Sequence, residues 1–105
     1  MKTGIEIIAE ERQRQIEVEG WTAEHDAEHT GEELAIAASC YALPKSVRVY
    51  KNTRFVLLPT SWPWADEWWK PCPEDRIHEL AKAGALIAAE IDRLNNISDE
   101  TTIQP

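Results

Sequence analysis

Between Ile77 and Leu94 the chain places Ile77, Leu80, Gly84, Ile87, Ile91 and Leu94 at alternating intervals of three and four residues. An α-helix is the structure that gathers residues of that spacing on one face. Ala81 and Ala88 widen the stripe, and Pro73 suits a first helical turn. The pattern predicts a helix that forms the spine of a small core, and by period alone the same face suits a dimer seam. Gly84 is the unexpected member, because a mid-helix glycine costs about 1 kcal/mol of helix propensity against alanine. Close contact with another helix would account for it.

Two further helices precede this one. Thr3 and Glu6 have the spacing of a capping box, so the first helix is expected to open at about Gly4, and Gly20 supplies a left-handed stop. Its apolar stripe, Ile5, Ile8 and Ile16, is interrupted by Arg12, and an arginine at such a position usually snorkels over a neighbour or pairs with a carboxylate and less often points into a shared pocket. Thr30 and Glu33 form a second capping box, which places the next helix from near Gly31 to about Leu43, halted by Pro44. Leu34, Ala37, Ala38 and Tyr41 make its buried stripe. Residues 44–60 change character: Val47, Val49, Phe55 and Val56 favour strand, and Lys51-Asn52 suits a turn, so a small β-hairpin or an irregular insertion is expected. After Leu94 the apolar period lapses, and residues 95–105 are expected to form a mobile tail. The fold class is therefore mainly α, a three-helix core with a small insertion, in a single domain over 1–94.

The net charge of −8 argues against long nucleic acid or an anionic membrane as partner. Residues 34–65 contain no acid but carry Lys45, Arg48, Lys51 and Arg54, a basic stretch inside an acidic protein. Recurring every third position, these cations fit neither face of a strand and are expected to be a solvated patch. Cys40 and Cys72 match no zinc spacing and are too few for a disulfide scaffold. No apolar run approaches membrane-spanning length, and the N-terminus has no signal-like core. A cytoplasmic protein is expected, and its small size favours a homodimer.

The least ordinary stretch is Ser61 to Pro71, where Trp62, Trp64, Trp68 and Trp69 supply four of the five tryptophans. An indole combines a large apolar surface with an N–H that needs a partner, so clusters of them favour half-wet places. Pro63 and Pro71 bracket the run and discourage helix. Two readings follow: a hydrophobic lid over the helices, or the wall of a site for a flat, charged ligand. In the second, Trp21, Trp62, Trp64, Trp68 and Trp69 are the candidate stacking rings, and Arg12, Lys70 and Arg76 the candidate partners for phosphate.

Around the second cap, His25, Asp26, His29 and Glu33 offer nitrogen and oxygen ligands at one-turn spacing, a candidate site for a divalent metal. The pattern differs from the zinc-protease motif, whose glutamate directly follows the first histidine. Capping and helix-dipole complement explain the same residues without metal.

Three phrases together carry a resemblance. They are Glu11-Arg12-Gln13-Arg14-Gln15 leading to Glu19-Gly20-Trp21 and His25-Asp26; Gly31-Glu32-Glu33-Leu34-Ala35 with Cys40-Tyr41-Ala42; and Trp62-Pro63-Trp64 with Trp68-Trp69-Lys70-Pro71 ahead of Lys82-Ala83-Gly84-Ala85-Leu86-Ile87. On these the chain resembles a group of short proteins encoded by phages and prophages, over roughly residues 5–94 apart from the insertion. More distantly, its helical layout resembles the MazG-like all-α nucleotide pyrophosphohydrolases, which bind magnesium through a Glu-Glu-x-x-Glu helix and a later Glu-x-x-Asp helix. The chain departs from that pattern in both possible registers. Glu32-Glu33 is followed by Ile36 and by Glu79-x-x-Lys82; Glu10-Glu11 is followed by Arg14 and by Glu33-x-x-Ile36. A cation in place of an acid repels magnesium.

The resemblance leaves two uses of the scaffold: holding a nucleotide-like ligand without cutting it, as in sequestering a host signalling nucleotide, or metal-dependent hydrolysis through a site rebuilt on His25, Asp26, His29 and Glu33. The tryptophan run adds a third expectation, a module that docks on a host protein.

Overall fold

A computed structural model describes residues 1–20, 32–52 and 57–103. Helix α1 spans Gly4–Glu19, α2 spans Glu33–Ala42 and α3 spans Arg76–Ile103, with a two-stranded antiparallel sheet of β1 (Tyr50–Asn52) and β2 (Leu57–Pro59) between α2 and α3. The predicted fold class is the one observed.

Helix α1 has the ends its sequence specifies. The Thr3 hydroxyl accepts the Glu6 N–H at 3.2 Å while the Glu6 carboxylate accepts the Thr3 N–H at 2.9 Å, and Gly20 closes the helix at φ 73°. Helix α2 begins at Glu33, after a left-handed Glu32 that makes no side-chain cap. The expected capping partner, Thr30, lies outside the described residues. Leu43 turns extended ahead of Pro44, which cannot continue the helix.

In the insertion, Tyr50 pairs with Pro59 and Asn52 with Leu57. Lys51 and Asn52, expected at the turn, lie in β1 instead, and the connection falls to residues 53–56, outside the description. Helix α3 starts three residues later than Pro73 suggests, because Asp75 caps it: its carboxylate accepts the His78 N–H at 3.1 Å and its carbonyl the Glu79 N–H at 3.1 Å. It also continues past Leu94 to Ile103. No proline or glycine lies between those residues to stop the ladder, so loss of the apolar period does not end the helix.

The core departs from the expected one in orientation. Helix α3 packs against both α1 and α2, but not through its aliphatic stripe. Ala81, Ala83, Ala85, Leu86 and Ala89 are buried, with Glu79, Glu90 and Arg93 beside them, whereas Ile77, Leu80, Ile87, Ile91 and Leu94 stay between 45% and 65% exposed. The alanines of α3 and those of α2, Ala37 and Ala38, let the two backbones come close, and the buried charges are tolerable because they are paired. Gly84 has the expected reason: a Cβ there would lie 2.6 Å from Ile8 Cδ1 of α1. Helix α1 is rolled in the same sense, burying Glu11, Arg12 and Gln15 and leaving Ile5 and Val18 exposed.

Candidate functional site

The tryptophan loop folds back over the C-terminal half of α2, and the aromatic cluster it builds holds the site in place. Tyr41 of α2 stands edge-on to Trp62 with ring centres 5.8 Å apart and lies against Trp69 at 4.7 Å. Trp62 meets Trp64 at 5.4 Å and Trp69 at 5.0 Å, both near edge-to-face, the arrangement ring quadrupoles favour. The Trp62 indole N–H donates to the Ala65 carbonyl at 3.1 Å, closing the loop on itself. Trp62 and Trp69 are buried in the core, and Trp64 packs against it. The Asp66–Trp68 turn then carries Trp68 out of the cluster, leaving its ring half exposed.

A second network fixes the loop from below. The Glu79 carboxylate, 1% exposed, accepts from the Arg48 and Arg76 guanidiniums, both at 3.1 Å, and from the Cys72 N–H at 2.9 Å. The same two arginines donate to the carbonyls that end α2: Arg48 to Cys40 and Tyr41, Arg76 to Tyr41, Ala42 and Leu43. Cations satisfy those orphan carbonyls and the negative pole of the helix, and Glu79 neutralises the cations. Burial pushes the Glu79 carboxyl up, but the hydrogen bonds from Arg48, Cys72 and Arg76 outweigh it and hold it below its ordinary value. Arg48 also lies over the Trp69 ring at 5.3 Å. The expected solvated basic patch therefore loses Arg48, which is buried as a structural tie.

Between these supports and α1 lies a small cleft, open to solvent and lined by Glu11, Arg14, Gln15, Glu19, Tyr41, Trp68, Lys70, Lys82 and Leu86. Glu11, Gln15 and Glu19 are spaced four apart, so α1 presents them in a row. Arg14 bridges that row: its guanidinium is bidentate on Glu11 at 2.9 and 2.7 Å and reaches Glu19 at 3.5 Å, and the Glu11 bonds raise its already high pKa. On the opposite wall the Lys82 ammonium donates to the Lys70 carbonyl at 2.8 Å and lies 5.3 Å from the Tyr41 ring centre. The Lys70 ammonium sits 5.8 Å from the Trp68 ring centre. Among the described residues neither lysine is ion-paired to a carboxylate. Tyr41 accepts the Lys70 N–H at 3.1 Å, and burial pushes its phenol up to about 12, so it stays protonated at neutral pH. The Gln15 side-chain oxygen is buried and has no hydrogen-bond donor among the described residues.

The sequence-derived candidates divide. Trp68 and Lys70 are brought together at the cleft. Trp62, Trp64 and Trp69 form the cluster behind it. Arg12 is turned toward α3, 3.5 Å from Asp92, and Arg76 serves the end of α2. Trp21, His25, Asp26 and His29 lie outside the described residues; Glu33 is in the first turn of α2. Among the described residues no group of three acids, histidines or cysteines is placed to hold a metal. Sequence reasoning passed over Glu11, Arg14, Gln15, Glu19, Tyr41 and Lys82. The four-residue spacing of the α1 members was the one signal available, and in an acidic chain it reads as a solvated face.

Comparison with protein-family models, curated proteins and solved structures finds no match to this chain. No helix among the described residues is long and apolar enough to cross a membrane.

Proposed function

We propose that the cleft binds a nucleotide-like ligand without hydrolysing it. The observation that carries this reading is the half-exposed Trp68 ring beside Lys70 and Lys82 at the mouth of the cleft. A base stacks on Trp68, a contact worth about 1–3 kcal/mol in nucleic-acid binders. Phosphate oxygens meet Lys70 and Lys82.

Among the described residues at and below the cleft, Glu11 and Glu19 are engaged by Arg14 and Glu79 by Arg48 and Arg76. This supports retention over hydrolysis. In the phage setting that the sequence resemblance suggests, such a protein would sequester a host signalling nucleotide, with two copies as the working unit.

Calorimetry with a panel of mono-, di- and cyclic nucleotides tests the proposal. Binding is expected for at least one, weakened about tenfold or more by Trp68→Ala and sensitive to salt through the lysines. Absence of heat with every nucleotide overturns it. The exposed Trp68 ring also supports docking on a host protein; that reading gains if Trp68→Ala abolishes co-purification of a host partner while no nucleotide binds.

A further inference from the structure

The aliphatic stripe of α3 has no cover among the described residues. Ile77, Leu80, Ile87, Ile91 and Leu94 point outward along the helix, with Gly84 in the same row and Ile8 of α1 lying against it. No charged residue interrupts the row, and the neighbouring positions Ala81, Ala83 and Ala88 are small. At 1.5 Å per residue the seam is roughly 25 Å long. Its five aliphatic residues present on the order of 450 Å², more than half of the roughly 800 Å² that a stable interface buries on each partner.

We infer that this face is a homodimer interface in which two copies of α3 pack antiparallel across a two-fold axis. The alternation of three and four residues repeats every seven, the 3.5-residue period of helices that stay in contact along their length at a crossing of about 20°. The series also reads the same in both directions. Antiparallel packing about its midpoint sets Ile77 opposite the partner's Leu94, Leu80 opposite the partner's Ile91, and Gly84 opposite the partner's Ile87. Every contact then occurs twice, as a two-fold interface requires. Antiparallel packing also opposes the two helix dipoles. The inference is independent of the ligand proposed for the cleft, because it uses no residue that lines it.

Sedimentation of the ligand-free protein at roughly micromolar concentration is expected to give twice the 12.0 kDa chain mass. Ile87→Asp, which puts two carboxylates near the axis, is expected to weaken association at least about 100-fold while leaving the helical circular dichroism intact. In a Cys72→Ser background, the double substitution Leu80→Cys with Ile91→Cys should oxidise to a covalent dimer, and Leu80→Cys alone should not. A single-chain mass for the wild type, an unchanged mass for Ile87→Asp, or efficient cross-linking by Leu80→Cys alone would each overturn the inference. Nucleotide calorimetry on Ile87→Asp separates the two proposals, since loss of the dimer does not remove Trp68, Lys70 or Lys82.

Discussion

The two long faces of α3 reverse the usual assignment. The side turned to α2 carries Glu79, Glu90 and Arg93 among alanines and one leucine and is buried, while the side with five isoleucines and leucines is open. Buried charge is stable there because each group has a partner: Arg93 is bidentate on Glu90 at 2.6 and 3.1 Å, and Glu79 holds two arginines. Periodicity groups residues on a face without stating what the face meets. Alanines on both helices allow α2 to approach closely, and the larger aliphatic residues are left for a surface that accommodates their bulk.

Breaking the charged face should have the largest effect. Glu79→Ala leaves Arg48 and Arg76 without their carboxylate and is expected to cost about 3–5 kcal/mol in urea unfolding. A loss below about 1 kcal/mol would mean that the network does not hold this face inward. Acid tests the same group. A carboxyl held below its ordinary value of 4.5 contributes stability above that pH and loses it as the pH falls through its depressed folded value. Wild-type protein should therefore lose more stability between neutral pH and about 3 than Glu79→Gln does, as read by melting temperature.

The contact between the faces is the next target. Gly84→Ala gains about 1 kcal/mol of helix propensity but forces Ile8 aside, an overpacking that costs about 1–3 kcal/mol. A net loss near 1 kcal/mol is expected, and pairing it with Ile8→Ala should remove the clash. The open face should matter least to the single chain: Ile87→Gln is expected to change its unfolding free energy by no more than about 0.5 kcal/mol when the protein is dilute enough for chains to be separate. A loss above about 2 kcal/mol would place Ile87 in the core. At the cleft, the absorbance of the Tyr41 phenolate should appear only near pH 12 in the folded protein and near its ordinary value of 10 after unfolding.

The features legible in the sequence were those carried by a few neighbouring residues. The Thr3–Glu6 capping box, the Gly20 stop, the Pro44 break and the buried row of α2 all depend on contacts within a turn or two. The cleft was legible only in part. Trp68 and Lys70 stood out because indoles so concentrated call attention to themselves, but Arg14, Tyr41 and Lys82 join them from three separate helices, and no local pattern links those helices. Arg76 fits the role of a phosphate ligand by composition, yet it is held by the carbonyls at the end of α2, a partner fixed by the path of the chain.

By itself the sequence determined where α1 starts and stops, that α3 has one continuous aliphatic row, and that the tryptophans form a loop, because local hydrogen bonding and side-chain spacing suffice for each. Tertiary structure decided which way the row of α3 points, which indole remains open and which cations are spent on a helix end. Those outcomes depend on close approach between alanine faces and on pairing charges far apart in the chain, and neither is written into any single segment.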